Sequence, residues 1–316
     1  MSEYFLGVDG GQSSTTALIG DGTGRVIGYG RGGPCNHVKT GDGRAKFVNA
    51  IGGCVGAACA QAGLDASTVS FRSAALGFSG GPADKEALLR EILRAGQMTV
   101  TNDGVIALTG ATAGAPGIIA IAGTGQLSIG RNAAGKLARA GGWGYVFGDE
   151  GGGFDIARQA LRAALRQHEG WGPQTALHDA LLAETGARDA NELMHRFYTT
   201  DWPRPKISAL SKLVDAAAGE GDELATQILL DAARAQAGYA SAVRGQLFAE
   251  GEAVVVAYIG GVWRSDMLRE RFTALMELTG GVRVTAPLLG PAAGALLDAY
   301  RASGRAVALA GVPPEK

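Results

Sequence analysis

Cysteine is scarce in this chain: Cys35, Cys54 and Cys59 are the only three, and no two of them form a CxxC pair. An odd, unpaired set of this kind excludes a disulfide framework and a cysteine-based structural zinc site. Long apolar runs are also missing. None approaches the ~20 residues needed to cross a bilayer, and no basic start leads into an apolar segment as in a secretory leader. The expectation is a cytoplasmic protein with no membrane partner. An excess of charge of either sign is absent too, with 29 basic against 30 acidic residues and a net charge of -1. With aromatics at 6% and no basic tract, a nucleic-acid surface is not expected. A small molecule is the partner that this composition leaves.

What is abundant is glycine, 51 of 316 residues, against an average usage of about 7%. The glycines punctuate apolar segments as GVDGG, GTG, GGWG, GDEGGG and YIGG. Such places let backbone N–H groups approach a ligand, because no Cβ intervenes. They also serve as plain turns. A hydrophobic content of 46% over this length supports one or two real cores, with two domains as the starting expectation.

The opening residues predict a meander. Tyr4–Val8, Thr15–Ile19 and Arg25–Tyr29 read as strands, the last two joined by the turn DGTG at Asp21–Gly24. Helices over Arg44–Ala62, Asp84–Ala95 and Val105–Ala113 then alternate with strands over Phe71–Phe78 and Met98–Thr101, as in parallel βαβ units. The pattern restarts with strands Pro116–Ile121, Leu127–Gly130 and Lys136–Ala140, with GTG in the first bend. This predicts a duplicated domain with the two glycine bends facing each other. Helices fill Phe154 to about Phe248, then Ala253–Ile259 and Val282–Thr285 return as strands, with helices over Asp266–Leu278 and Pro291–Tyr300.

Two phosphate loops can be excluded. The one Gly-Lys, Gly135-Lys136, is followed by Leu137 rather than Ser or Thr, so there is no Walker A loop. Gly28, Gly30 and Gly33 match GxGxxG but run into Pro34-Cys35 without opening a helix. The first bend is the better cradle. Gly10, Gly11, Gln12, Ser13 and Ser14 offer backbone N–H groups and hydroxyls to phosphate oxygens, and Asp9 is placed to hold Mg²⁺; the alternative is a hairpin turn capped by its Asp. Gly123-Thr124-Gly125 supplies a second nest. Asp103, in TNDG just past a strand, is a candidate general base toward a substrate hydroxyl, or else the N-cap of the next helix. Gly141–Ala157 carries Asp149 and Glu150 among glycines, suited to sugar hydroxyls or to a helix dipole. Gly260-Gly261 ends a strand where a flat base can lie on bare backbone. Asn36 in the loop Asn36-His37 is a candidate for a sugar hydroxyl or acyl group. His168, His178 and His195 lack ligand spacing.

With these residues assembled, the chain resembles the N-acetylglucosamine kinase branch of the BadF/BadG/BcrA/BcrD-type ATPases, within the actin, hexokinase and Hsp70 superfamily. LGVDGG, Asn36-His37, TNDG, IAGTG, GGWGYVFGDEG, YIGGV and PAAGA occur in the family's order nearly end to end. The resemblance implies an α/β fold of duplicated ribonuclease-H-like domains, with an interdomain cleft closing on ATP and sugar. The expected domains are 1–113, completed by a C-terminal helix at about 291–303, and 114–290, carrying a helical insertion at about 151–250.

The resemblance further implies a cytoplasmic homodimer that phosphorylates the 6-hydroxyl of N-acetylglucosamine or a close relative such as glucosamine or N-acetylmuramic acid. Asp103 would be the base and Asp9 would organise Mg²⁺. Gly10, Gly11, Gln12, Ser13 and Ser14 would hold the ATP phosphates with Gly123, Thr124 and Gly125, while Gly260 and Gly261 receive the adenosine. Asn36, His37, Asp103, Gly142, Trp143, Asp149 and Glu150 would hold the sugar. Two residues depart from the pattern: Gln12 stands where a third glycine is usual, and Gln126 where Ser is common. The competing expectation is an ATPase sensor or activator on the same fold. Activators that share an iron–sulfur cluster across a dimer need loop cysteines, whereas Cys54 and Cys59 fall on a predicted helix.

Overall fold

A computed structural model describes residues 3–35 and 42–314. In chain order it contains β1 (Tyr4–Gly10), β2 (Thr15–Asp21), β3 (Val26–Gly32), α1 (Gly43–Gln61), β4 (Phe71–Phe78), α2 (Glu86–Ile92), β5 (Ala95–Asn102) and α3 (Asp103–Ala111). The strands β6 (Gly117–Ala122), β7 (Gln126–Arg131) and β8 (Leu137–Gly141) follow. Six helices come next: α4 (Gly153–His168), α5 (Leu177–Thr185), α6 (Ala190–Arg196), α7 (Arg204–Ser208), α8 (Ser211–Gly219) and α9 (Glu223–Leu247). The chain closes with β9 (Val254–Ile259), a 3₁₀ turn at Gly261–Arg264, α10 (Asp266–Glu277), β10 (Val282–Thr285) and α11 (Pro291–Ala302).

The chain divides into two units, residues 1–115 with 287–316, and residues 116–286. Among the described residues each unit holds one five-stranded sheet, and the two have the same plan. The first runs β3-β2-β1-β4-β5 and the second β8-β7-β6-β9-β10. In both, the opening three strands pair antiparallel and the later two join parallel. The repeat read from the sequence is therefore a repeat of sheet topology, and the fold is α/β with duplicated actin/hexokinase-like domains.

Period-two alternation explains how the first sheet is covered. Leu6 and Val8 of β1 lie in a core with Phe47, Ile51 and Val55 of α1, while Phe5 lies in a separate core with Leu296 and Tyr300 of α11. Phe5 stacks on Tyr300 with centroids 4.1 Å apart. Each of these large side chains contributes about 1.5–3 kcal/mol by leaving water. Gly7 is what lets α11 sit so close, since a Cβ there would lie 2.3 Å from the Leu296 nitrogen. In the second unit one continuous core joins β6 and β9 to α4, α8, α9 and α10.

Several boundaries differ from those read off the sequence, among them the end of β1 and the junction of α2 with β5. β1 runs past Val8 because Asp9 and Gly10 go on pairing with Thr16 and Thr15 on one side and with Gly77 and Phe78 on the other. Asp9 is thus held in a central strand. The helix expected as far as Ala95 stops at Ile92, and β5 starts at Ala95 rather than Met98. There Ala95 pairs with Phe71, whose N–H donates to the Arg94 carbonyl, so sheet pairing overrides the local helical spacing.

Candidate active site

The first bend is tight and densely bonded. The Gly11 N–H donates to the Ser14 carbonyl at 2.9 Å, and the Cys35 N–H donates to the Gly11 carbonyl at 3.0 Å. Gly10 is required by packing, because a Cβ would fall 2.3 Å from the Phe78 ring. Along the polar run, the Thr15 hydroxyl is buried and donates to the Gly33 carbonyl, with the Cys35 sulfur at 2.9 Å. Gln12 and Ser13 stay exposed and Ser14 is half-buried. Gln12 donates to the Ser79 hydroxyl at 3.2 Å. The residue that replaces the usual third glycine therefore ties this bend to the loop after β4.

That loop carries a residue the sequence did not single out. Lys85 has a fully buried side chain, donating from Nζ to the Gly81 carbonyl and the Asp84 carboxylate, both at 2.9 Å. Its ammonium lies 5.8 Å from the Phe78 ring centre. The Ser79 N–H donates to the Gly10 carbonyl, so the pinned loop braces the bend directly. A lysine beside Asp and Glu reads in sequence as a solvated helix start; only the burial reveals it. Nearby, burial pushes the Cys35 thiol above its ordinary range, opposed by the Thr15 hydrogen bond and the Lys85 charge.

No group of three or more His, Cys, Asp or Glu side chains able to hold a metal occurs among the described residues. The Asp9 carboxylate, beside a bend of backbone N–H groups and hydroxyls, fits Mg²⁺, which takes one or two carboxylates and completes its shell with water and phosphate oxygens.

Asp103 lies at the carboxyl end of β5 as the first residue of α3. The N-cap is Asn102, whose side chain accepts from the Val105 N–H at 2.9 Å. Capping, the alternative role for Asp103, is thus performed by its neighbour. Asp103 is half-buried and its carboxylate accepts from the Gly104 N–H. Asn36 and His37 lie outside the described residues.

In the second unit the GTG bend and the acidic loop are locked together. The Gly153 and Phe154 N–H groups donate to the carbonyls of Gly123 and Thr124, at 2.8 and 3.0 Å. Asp149 is buried, adopts a left-handed φ of 66°, and accepts from the Gln126 N–H. Its carboxylate occupies the space of a Cβ on Gly125, which explains that glycine. Arg204 of α7 comes within 3.7 Å of this carboxylate and lies over the Tyr145 ring at 4.5 Å. No sequence signal connects it to the loop, because 55 residues separate it from Asp149.

Glu150 is exposed and accepts from the Tyr239 hydroxyl; burial first, and then this bond, hold the Tyr239 phenol above its usual range. Gln126, the second departure, is buried, reaching Ser128 while its own carbonyl accepts from the Gly142 N–H. Gly142 has a left-handed φ, and Trp143 is exposed, with Arg139 over its ring.

Gly260 has φ 119°, and a Cβ on it would lie 2.3 Å from the Ala122 carbonyl oxygen. The end of β9 is thereby pressed against the start of the GTG bend. Beyond Gly261, whose Cβ direction opens into free space, lies a cavity of about 290 Å³ bounded by Gly261, Arg264 and Ser265 together with Ser211, Lys212 and Asp215 of α8. The α8 residues add polar groups from the helical stretch to the glycine pair read from the sequence.

The chain is similar to known proteins over most of its length. It is 32% identical over 247 residues to N-acetyl-D-glucosamine kinase of Dictyostelium discoideum, covering 74% of this chain and 76% of that one. It is 34% identical over 194 residues to N-acetylmuramic acid/N-acetylglucosamine kinase of Clostridium acetobutylicum, covering 61% of this chain and 63% of that one, so the match spans less than two thirds of that relative. A Chromobacterium violaceum protein provisionally called an N-acetylglucosamine kinase has a solved structure with a TM-score of 0.75 and 29% identity, covering 93% of this chain and 98% of that one. The profile of the BadF/BadG/BcrA/BcrD ATPase family matches residues 6–299. With the duplicated sheets and their glycine bends, that span leaves one conclusion: the chain belongs to the BadF/BadG/BcrA/BcrD ATPase family.

Proposed function

We propose that this protein is an ATP-dependent amino-sugar kinase that transfers the γ-phosphoryl group of ATP to the 6-hydroxyl of N-acetylglucosamine or a close relative. The kinase names of the relatives support the reaction class. The observation that carries the mechanism is the capping of α3 by Asn102, which leaves the Asp103 carboxylate at the sheet's carboxyl edge to serve as base.

In this reading Gly10, Gly11, Gln12, Ser13 and Ser14, with Gly123, Thr124 and Gly125, hold the phosphates. Gly260 and Gly261 receive the adenosine. The sugar is held by Asn36, His37, Gly142, Trp143, Asp149 and Glu150. Asp9 holds Mg²⁺, which when bound neutralises charge on the phosphates. Asp103 accepts the proton of the 6-hydroxyl as its oxygen bonds to the γ-phosphorus, and the bond to the bridging oxygen breaks with its electron pair leaving on ADP. Little covalent work falls to the protein; placing the hydroxyl in line and keeping water out do most of it.

The test is a coupled ADP-release assay with Mg-ATP against glucose, glucosamine, N-acetylglucosamine, N-acetylmannosamine and N-acetylmuramic acid, with mass spectrometry of the products. The expected result is ADP release dependent on an amino sugar, with a product heavier by one phosphoryl group. ADP release without a sugar phosphate would overturn the kinase reading in favour of an ATPase sensor or activator. The cysteines stand against the iron–sulfur version of that alternative, since a cluster shared across a dimer needs thiolates at the surface, whereas Cys35, Cys54 and Cys59 are all buried in the core against α1.

A further inference from the structure

We infer that the second unit carries a further ligand site, a cavity between α4 and α9 that takes a small phosphate monoester of about hexose size. The cavity measures about 440 Å³, within the range of small-molecule sites. Its walls include Ile156, Ala163, Leu224 and Ile228, and its polar lining comprises Gln159 and Gln227 with five charged groups: Glu150, Asp155, Arg162, Arg166 and Asp231.

The charges are not mutually satisfied. Asp155 is paired with Arg158 and also accepts from the Gly151 N–H. Asp231 is paired with Arg234 and accepts from Gln227. Glu150 accepts from the Tyr239 hydroxyl. Arg162 and Arg166 have no carboxylate partner among the described residues. Two guanidiniums without a carboxylate partner among the described residues thus face a cavity in which two of the three acids, Asp155 and Asp231, are ion-paired to other arginines.

Their placement fits phosphate. Arg162 and Arg166 stand one turn apart on α4, so their heads lie on the same face and can share the three terminal oxygens of a monoester. Arg166 is held in place, with its guanidinium over Trp171 at 4.9 Å and its carbonyl accepting from the N–H groups of Trp171 and Gly172. The turn so formed brings Pro173 into the cavity wall. At the other end the lining is the backbone of the acidic loop. Gly151 packs so closely on α9 that a Cβ would lie 2.6 Å from the Ala232 carbonyl oxygen, and Gln236 donates to the Gly151 carbonyl. An occupant here touches the loop whose next residue back, Asp149, secures the GTG bend.

The cavity shares Glu150 with the sugar-holding residues of the kinase reading, but its two arginines take no part in that reading, and its test reads binding alone. Glucose 6-phosphate, glucose and inorganic phosphate are titrated by calorimetry into the whole protein and into the double variant Arg162→Gln/Arg166→Gln. Both residues are exposed, and an unchanged melting temperature confirms that the variant folds. The expected result is that glucose 6-phosphate binds and quenches or shifts Trp171 emission, a signal lost in Trp171→Phe. Its affinity falls at least ~tenfold in the double variant, as expected when charge-assisted contacts are removed. Unchanged affinity in the double variant would place the ligand elsewhere and overturn the proposal. So would the absence of binding at millimolar ligand.

Discussion

At the residue scale, the role proposed for Asp103 rests on which of two adjacent residues caps α3. Both Asn102 and Asp103 are good caps by type, so the sequence left the choice open. It was decided by β5, which runs on to Asn102 through the Asn102–Phe78 pair and puts the Asn102 side chain over the Val105 N–H. Asp103→Asn is expected to keep ATP and sugar binding while lowering kcat by at least ~100-fold, the lower end for a lost general base; equilibrium dialysis beside steady-state kinetics separates the two, and full turnover would remove Asp103 from the mechanism. Lys85 was not legible, because its neighbours Asp84 and Glu86 make it look solvated. Replacing it with Met removes a fully buried ammonium together with its bonds to the Gly81 carbonyl and the Asp84 carboxylate, and Lys85→Met is expected to destabilise the protein by about 3 kcal/mol, measured by urea unfolding.

At the scale of elements, the small-residue stretch PAAGA could be read from sequence only as allowing close helix packing. The structure supplies the partner. In α11 a Cβ on Gly294 would lie 2.0 Å from the Ile106 carbonyl oxygen of α3, and one on Gly110 would lie 2.3 Å from the Gly290 carbonyl oxygen. Helix α11, almost two hundred residues later in the chain, thus docks backbone to backbone on the helix that begins with Asp103. Gly294→Ala is expected to cost about 1–3 kcal/mol by overpacking, seen as a lowered denaturation midpoint. The same contrast holds in the second unit. The glycines of GTG and GDEGGG were visible as backbone approaches to a ligand, yet Gly125 is small because it meets the Asp149 carboxylate and Gly152 because it meets the Gly125 backbone. A one-dimensional pattern shows that something comes close, without showing what.

At the scale of the whole molecule, buried acids make stability depend on pH in one direction. Burial pushes the Cys54 thiol up to about 12 from an ordinary 9.0, raises Cys35 and Cys59 likewise, and raises the Tyr239 and Tyr300 phenols. A folded-state value above the unfolded one means that the folded chain keeps protons the unfolded chain releases. The stabilisation is therefore complete below about pH 9 and is lost as pH rises toward 12. Urea midpoints are expected to fall steadily above pH 9, by on the order of 1 kcal/mol of stability per pH unit for a buried thiol; a flat profile to pH 11 would contradict the burial of these groups. The sequence by itself determined the alternation of strands and helices, the repeat and the positions of the glycine bends, because those depend on local periodicity and on the absence of a Cβ. The tertiary structure alone decided which partners fill the bends, that Lys85 and Asp149 are buried, that Arg204 meets the acidic loop and that α8 borders the cavity beyond Gly261, because burial and pairing are made by residues far apart in the chain.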